Sequence, residues 1–227
     1  CNYSCLTRDG QWLRTKAFPL MKAVADFWVS RVTRNDDGSY SICNVVGADE
    51  YANGVDDNAF TNGAAIRALE YACEAARICN EPVPEIWEEV GKSIRILRFK
   101  DGVTREHATY NGEMIKQADV NLLGYPLYFV GDAESQKKDM EYYVDKIDPQ
   151  NGPAMSYSVF CVQYARMGDA KRAYEMFCRC YQPNLRAPFG VLAETPTSDN
   201  PYFMTGAGGL LQAVINGFCG LQITDGG

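Results

Sequence analysis

The chain has 227 residues, room for a sizeable core in one domain or at most two. It is 46% hydrophobic and 22% charged, with a net charge of −7 and the two signs interspersed. No Lys/Arg block reaches nucleic-acid-patch density, and no apolar run approaches the roughly 20 residues that span a bilayer, so neither a nucleic-acid nor a membrane partner is expected. The nine cysteines form no CxxC pair, and His107 is the single histidine. A zinc site would want more histidine or a tighter pattern, so no metal is expected. Most of the cysteines fall in apolar or helical contexts, and at least five are expected to act as small buried hydrophobes.

The pattern along the chain is mostly helical. Leu20, Met21, Val24, Phe27, Trp28 and Val32 recur at three- and four-residue spacing, which predicts an amphipathic helix over 17–33 with Pro19 in its first turn. Asp36-Asp37-Gly38 reads as a turn, and residues 40–46 alternate as a short strand. A helix is predicted over 59–78, stopped by Asn80 and Pro82, and another over 84–97. Residues 98–110 read as extended, with a turn at Asp101-Gly102. Further helices are predicted over 115–129, 135–147, 153–167, 170–180 (capped by Asp169) and 206–218, with 181–203 as loop or short strand. About eight helices joined by alternating short turns and long loops suit a toroid of helical hairpins with function in the loops at one end. No linker or fixed repeat suggests a second domain or an open solenoid.

Four carboxylates fall between Asp49 and Asp57, immediately before the helix predicted from Ala59. Asp57 or Asn58 is a candidate N-cap. Spacing alone reads this stretch as a cap beside a solvated acidic loop. It also sets carboxyl groups on a loop held by a rigid element and open to a ligand, where neighbouring negative charge can keep one of them protonated, as a general acid requires.

Three motifs, in order, carry a resemblance. They are Gly47–Asn62, Ile115-Lys116-Gln117-Ala118-Asp119-Val120, and Gly206-Ala207-Gly208-Gly209-Leu210-Leu211-Gln212-Ala213. Together they resemble glycoside hydrolase family 65. The segments Leu122–Pro126 and Gly152–Ser156 are more similar to its hydrolases than to its phosphorylases. The resemblance implies an all-α fold, an (α/α)6 barrel. It further implies that residues 1–227 are an incomplete catalytic domain, because the segment from Asp9 to Trp28 resembles the middle of that barrel. The missing N-terminal part of the same protein, with its Trp-Asp segment, is then needed for a full sugar site.

Residue by residue, the resemblance implies that Glu50 is the general acid that protonates the departing glycosidic oxygen. Ala48 and Ala52 stand where the family often has proline and histidine, which bears on substrate more than on the acid. Glu194, in Phe189–Thr195, matches the general base of the family's hydrolases. An inverting glycosidase needs such a second carboxylate, about 6.5–9.5 Å from the acid, with a water between them. A carboxylate there would repel phosphate. Lys116 and Gln117 are expected to open a helix and contact sugar hydroxyls, with Asp49 and Tyr51 completing the substrate-binding set. Asp49 would also hydrogen-bond within the loop, and Asp119 would satisfy backbone or a neighbouring helix. Phe203 is a further candidate for lining the pocket. Trp28, Trp87 and His107 read as structural, and Gly206–Gly209 as small residues that permit close packing. The expected activity is inverting hydrolysis of an α-glucosidic bond in a small carbohydrate, with no cofactor. The rivals are a phosphorylase with the same acid and a non-catalytic helical fragment.

Overall fold

The computed structural model describes residues 2–129 and 132–223; Cys1 lies outside them. Its α-helices are α1 (Asn2–Thr7), α2 (Gly10–Trp12), α3 (Phe18–Arg31), α4 (Ala59–Cys79), α5 (Glu85–Ser93), α6 (Ala133–Tyr143), α7 (Met155–Arg166), α8 (Ala170–Arg179) and α9 (Met204–Gln212). A π-helical stretch, Leu13–Ala17, joins α2 to α3, so helical backbone begins upstream of the expected start, and Pro19 does fall in the first turn of α3. A second π-helical stretch, Ala213–Phe218, prolongs α9. Strands are two residues long: β1 (Thr33–Arg34) pairs antiparallel with β2 (Tyr40–Ser41), and β3 (Leu185–Arg186) with β4 (Val191–Leu192). The strand expected over 40–46 ends early because Asn44 takes a left-handed backbone, φ +53°.

The longest helix shows how local sequence sets the fold. In α4 the Asn58 side chain accepts the Thr61 N–H at 2.9 Å, and Asn80 closes the far end at φ +57° with its N–H on Ala76 and Arg77 carbonyls. Its buried face carries Asn62, Ala65, Ile66, Leu69, Ala72, Cys73 and Ala76. The many alanines let α3 and α5 approach closely, and Trp87 of α5 fills the space against Leu69 and Cys73, within a core shared with Ala25, Ile42 and Val90. A second core joins α6, α7 and α8 through Met140, Tyr143, Phe160, Cys161, Ala173 and Met176, together with Ile115, Val120 and Leu123. Phe129 packs on both cores. Cys73, Cys79, Cys161 and Cys180 are buried free thiols; Cys43 and Cys178 are half-buried.

One predicted helix is absent. Over 115–129 only Val120–Leu123 is helical, as a 3-10 turn, and Lys116 and Gln117 sit at a bend before it. The N–H groups a helix would use internally go elsewhere. That of Ile115 bonds the Lys146 carbonyl (2.9 Å), that of Lys116 the Asp49 carboxylate (2.7 Å), and that of Ala118 the Ser156 hydroxyl (3.0 Å). The segment therefore threads between the acidic loop and the start of α7, which brings two distant parts of the chain to one place.

Candidate active site

The site is built around the N-terminus of α4. Asp119 is fully buried and its carboxylate accepts four hydrogen bonds: from Ala48 N (2.8 Å), Asp49 N (3.4 Å), Phe60 N (3.3 Å) and Asn58 Nδ2 (2.9 Å). Phe60 N is one of the donors a helix start leaves free, and the helix dipole favours a negative charge there. Burial raises the Asp119 carboxyl to about 6, with those four bonds opposing the rise. Ala59 N is satisfied by the Glu106 carbonyl at 2.7 Å. Gly47 lets the loop pass over this anchor: a Cβ there would stand 2.3 Å from Asn58 Nδ2 and 2.6 Å from Asp119 Oδ2. Asp119→Ala would leave four donors without their acceptor. It is expected to lower stability by at least about 3 kcal/mol, read as a fall in the urea midpoint.

Asp49 is buried, and its Oδ1 accepts both Lys116 N (2.7 Å) and Tyr51 N (3.2 Å). Its carboxylate braces the loop through these two bonds. Glu50, next to it, points outward with 59% of its side chain exposed and makes an ion pair with Lys116 Nζ. The hydrogen bond and charge of Lys116, with a hydrogen bond from Gln117, hold the Glu50 carboxyl below the usual carboxylate range. Glu50 is therefore ionised at neutral pH. Lys116 is held above its ordinary range, first by the bond to Glu50; the charges of Glu50, Glu194 and Tyr51 act in the same direction. Gln117 is buried, and its Oε1 has no hydrogen-bond partner. The Tyr51 hydroxyl donates to Asp148 Oδ2 at 2.8 Å and is tied to the 148–151 turn, with the ring half exposed.

The Glu194 loop is fixed by groups that sequence reading did not single out. Asn184 Nδ2 donates to the carbonyls of Ala193 (3.1 Å) and Glu194 (3.0 Å), and Ala154 N donates to the Glu194 carbonyl (3.1 Å). Arg186 Nη2 donates to the carbonyls of Thr195, Pro196 and Ser198 at 3.2, 2.7 and 2.9 Å. The loop thus meets the start of α7 beside Ser156, which holds Ala118. Gly209 keeps α9 close to α7: a Cβ there would lie 2.6 Å from Ser158 Oγ. Phe203 lies over Gly206 at the start of α9. Trp87 is core, Trp28 packs on that core, and the His107 ring pairs with Thr109 at 3.2 Å. Among the described residues no group of three or more His, Cys, Asp or Glu could hold a metal ion, and no helix is long and apolar enough to cross a membrane. A cavity of about 770 Å³ lies elsewhere, lined by Arg8, Leu13, Tyr71, Tyr125, Gln212 and Asn216 among others, with none of the predicted site residues.

Helices packed in pairs, α3 on α4, α4 on α5 and α7 on α8, define an all-α class. The backbone is similar to a putative kojibiose phosphorylase from human microbiome, with a TM-score of 0.72 over 98% of this chain and 38% of that one, at 18% identity, a likeness of fold alone. It fits the expected incomplete (α/α)6 barrel. Residues 1–110 match the glycosyl hydrolase family 65 central catalytic domain. The chain is 50% identical to a kojibiose hydrolase of Mucilaginibacter mallensis over all of its length and 33% of that protein's. It is 37% identical to a protein-glucosylgalactosylhydroxylysine glucosidase of Dictyostelium discoideum (99% of this chain, 32% of that protein). It is 34% identical to an acid trehalase of Emericella nidulans (95% and 21%). The family match thus rests on residues 1–110, and the chain spans about a third of the length of the first two of these curated relatives.

Proposed function

We propose that this chain carries the catalytic residues of an inverting glycosidase, which hydrolyses an α-glucosidic bond in a disaccharide or glucosyl conjugate. Glu50 protonates the glycosidic oxygen, and Glu194 activates a water on the opposite face of the sugar ring, releasing β-glucose. Lys116 and Gln117 hold sugar hydroxyls. Sequence upstream of residue 1 completes the sugar site in the full-length protein, a reading supported by the length of the relatives.

The observation that carries this reading is the convergence at Lys116: its ammonium is bonded to Glu50, and the Glu194 backbone meets Ala154 at the start of α7, where Ser156 holds Ala118, two residues from Lys116. The unpartnered Gln117 Oε1 supports the sugar-binding role, because a buried acceptor without a donor is costly and a hydroxyl would satisfy it. The ion pair of Glu50 with Lys116 sets one requirement: sugar hydroxyls must draw Lys116 away before Glu50 can act as an acid. Removing the cation, as in Lys116→Met, raises the Glu50 pKa. The basic limb of the kcat/KM–pH profile is therefore expected to move to higher pH, with a raised KM. An unmoved limb separates Lys116 from the acid.

The test of the function uses the full-length protein with kojibiose and other α-glucosyl disaccharides, following the anomer of the first-formed glucose by proton NMR. The expected result is β-glucose, at a rate that added phosphate does not increase. α-Glucose as the first product, or turnover that requires phosphate, overturns it.

A further inference from the structure

Glu106 takes no part in the scheme above. It lies at a bend in the stretch between α5 and α6, is fully buried, and neither of its carboxyl oxygens meets a hydrogen-bond donor. The group within hydrogen-bonding reach is another carboxyl, that of Asp49, the neighbour of Glu50. Asp119 and Glu113 add negative charge, and the Tyr110 and Tyr143 phenols lie in the same electrostatic neighbourhood.

Two facing buried carboxylates repel and cannot hydrogen-bond; with one proton between them they attract. The donors decide which of them holds it. Asp49 accepts two backbone N–H groups and Asp119 accepts three, with the Asn58 amide as a fourth donor, so both carboxyls already serve as acceptors. Glu106 accepts none. Burial, then the charges of Asp119 and Asp49, push its carboxyl up to about 10.

We propose that Glu106 is a positioning residue for the acid-bearing loop: as the neutral acid it donates its carboxyl proton to Asp49, and this O–H···O bond fixes the carboxylate that grips Lys116 N beside Glu50. No proton leaves during turnover; the bond is static. The idea rests on Glu50 being the acid only for its catalytic consequence. The buried proton itself is independent of that reading.

Two measurements test it. Infrared difference spectra of this chain at pH 7.5 should show a protonated-carboxyl C=O band in the wild type that Glu106→Gln removes. An unchanged spectrum overturns the proposal. In the full-length protein, Glu106→Gln keeps a donor for Asp49 and is expected to hold kcat within about threefold of wild type. Glu106→Leu, of similar volume but with no donor, should lower kcat at least tenfold with KM within about twofold. Equal kcat in the two variants overturns the positioning role. Should Glu106→Leu not fold, amide exchange at Lys116 replaces it: protection kept in Glu106→Gln and lost at least tenfold in Glu106→Asp, whose shorter arm draws the proton back, supports the bond, and unaltered protection in Glu106→Asp counts against it. A wild-type protein without hydrolytic activity removes the proposed function and leaves the infrared result to decide on Glu106.

Discussion

Glu50→Gln in the full-length protein is expected to lower kcat on an unactivated α-glucoside by about 10²–10⁴-fold, the usual contribution of a general acid. An alkoxide leaving group departs with difficulty unless it is protonated as the bond breaks, and the amide of glutamine has no proton to give. The same variant should keep most of its activity on α-glucosyl fluoride, because fluoride leaves without protonation. That split by leaving group is the informative readout, since a variant that is merely misfolded loses both substrates alike. Lys116 bears on the interpretation. Glutamine at position 50 releases Lys116 from its ion pair, so sugar binding should not weaken, and KM should stay level or fall. Equal losses on both substrates, or no loss on either, would remove Glu50 from the role of acid.

The second large effect is expected at Glu194. Glu194→Ala should lower hydrolysis by a similar 10²–10⁴-fold, because water at the anomeric carbon then lacks a base. Here the loss should occur with activated and unactivated substrates alike, in contrast to Glu50→Gln. Added azide is already an anion and needs no base. In the space left by the carboxylate it should restore turnover and give β-glucosyl azide, the stereochemistry of attack opposite the leaving group. Formation of α-glucosyl azide would mean a retaining path. Full activity without azide would make Glu194 an ordinary loop glutamate. The Asn184 and Arg186 bonds to the backbone of this loop do not involve the Glu194 side chain, so the substitution should leave the loop in place.

Much of the helical frame was legible because the signals that start and stop a helix act within a few residues. Asn58 caps α4, Asn80 ends it, and Asp169 caps α8 by accepting Arg172 N at 3.0 Å, each from a position that residue type and spacing mark out. The apolar faces of α4 and α5 were equally readable and placed Trp87 in the core, whereas Leu20, Val24 and Phe27 of the stripe read on α3 are exposed. The segment 115–129 misled because its spacing suits a helix, whereas its N–H groups find acceptors on Asp49, the Lys146 carbonyl and Ser156, none of them near in sequence. Glu106 was invisible for a related reason. A glutamate in an extended polar stretch reads as solvated, and nothing local shows that Asp49 and Asp119 will be folded against it.

The sequence by itself determined the helical class of fold and carried the family resemblance that marks the two glutamates of the proposed chemistry, because capping, periodicity and motif order are written in the chain. Only the tertiary structure decided which carboxyls are charged: Lys116 holds Glu50 ionised, four donors sustain Asp119, and Glu106 is left buried without a donor. Charge state depends on burial and on partners brought from far along the chain, and those distances exist only once the helices have packed.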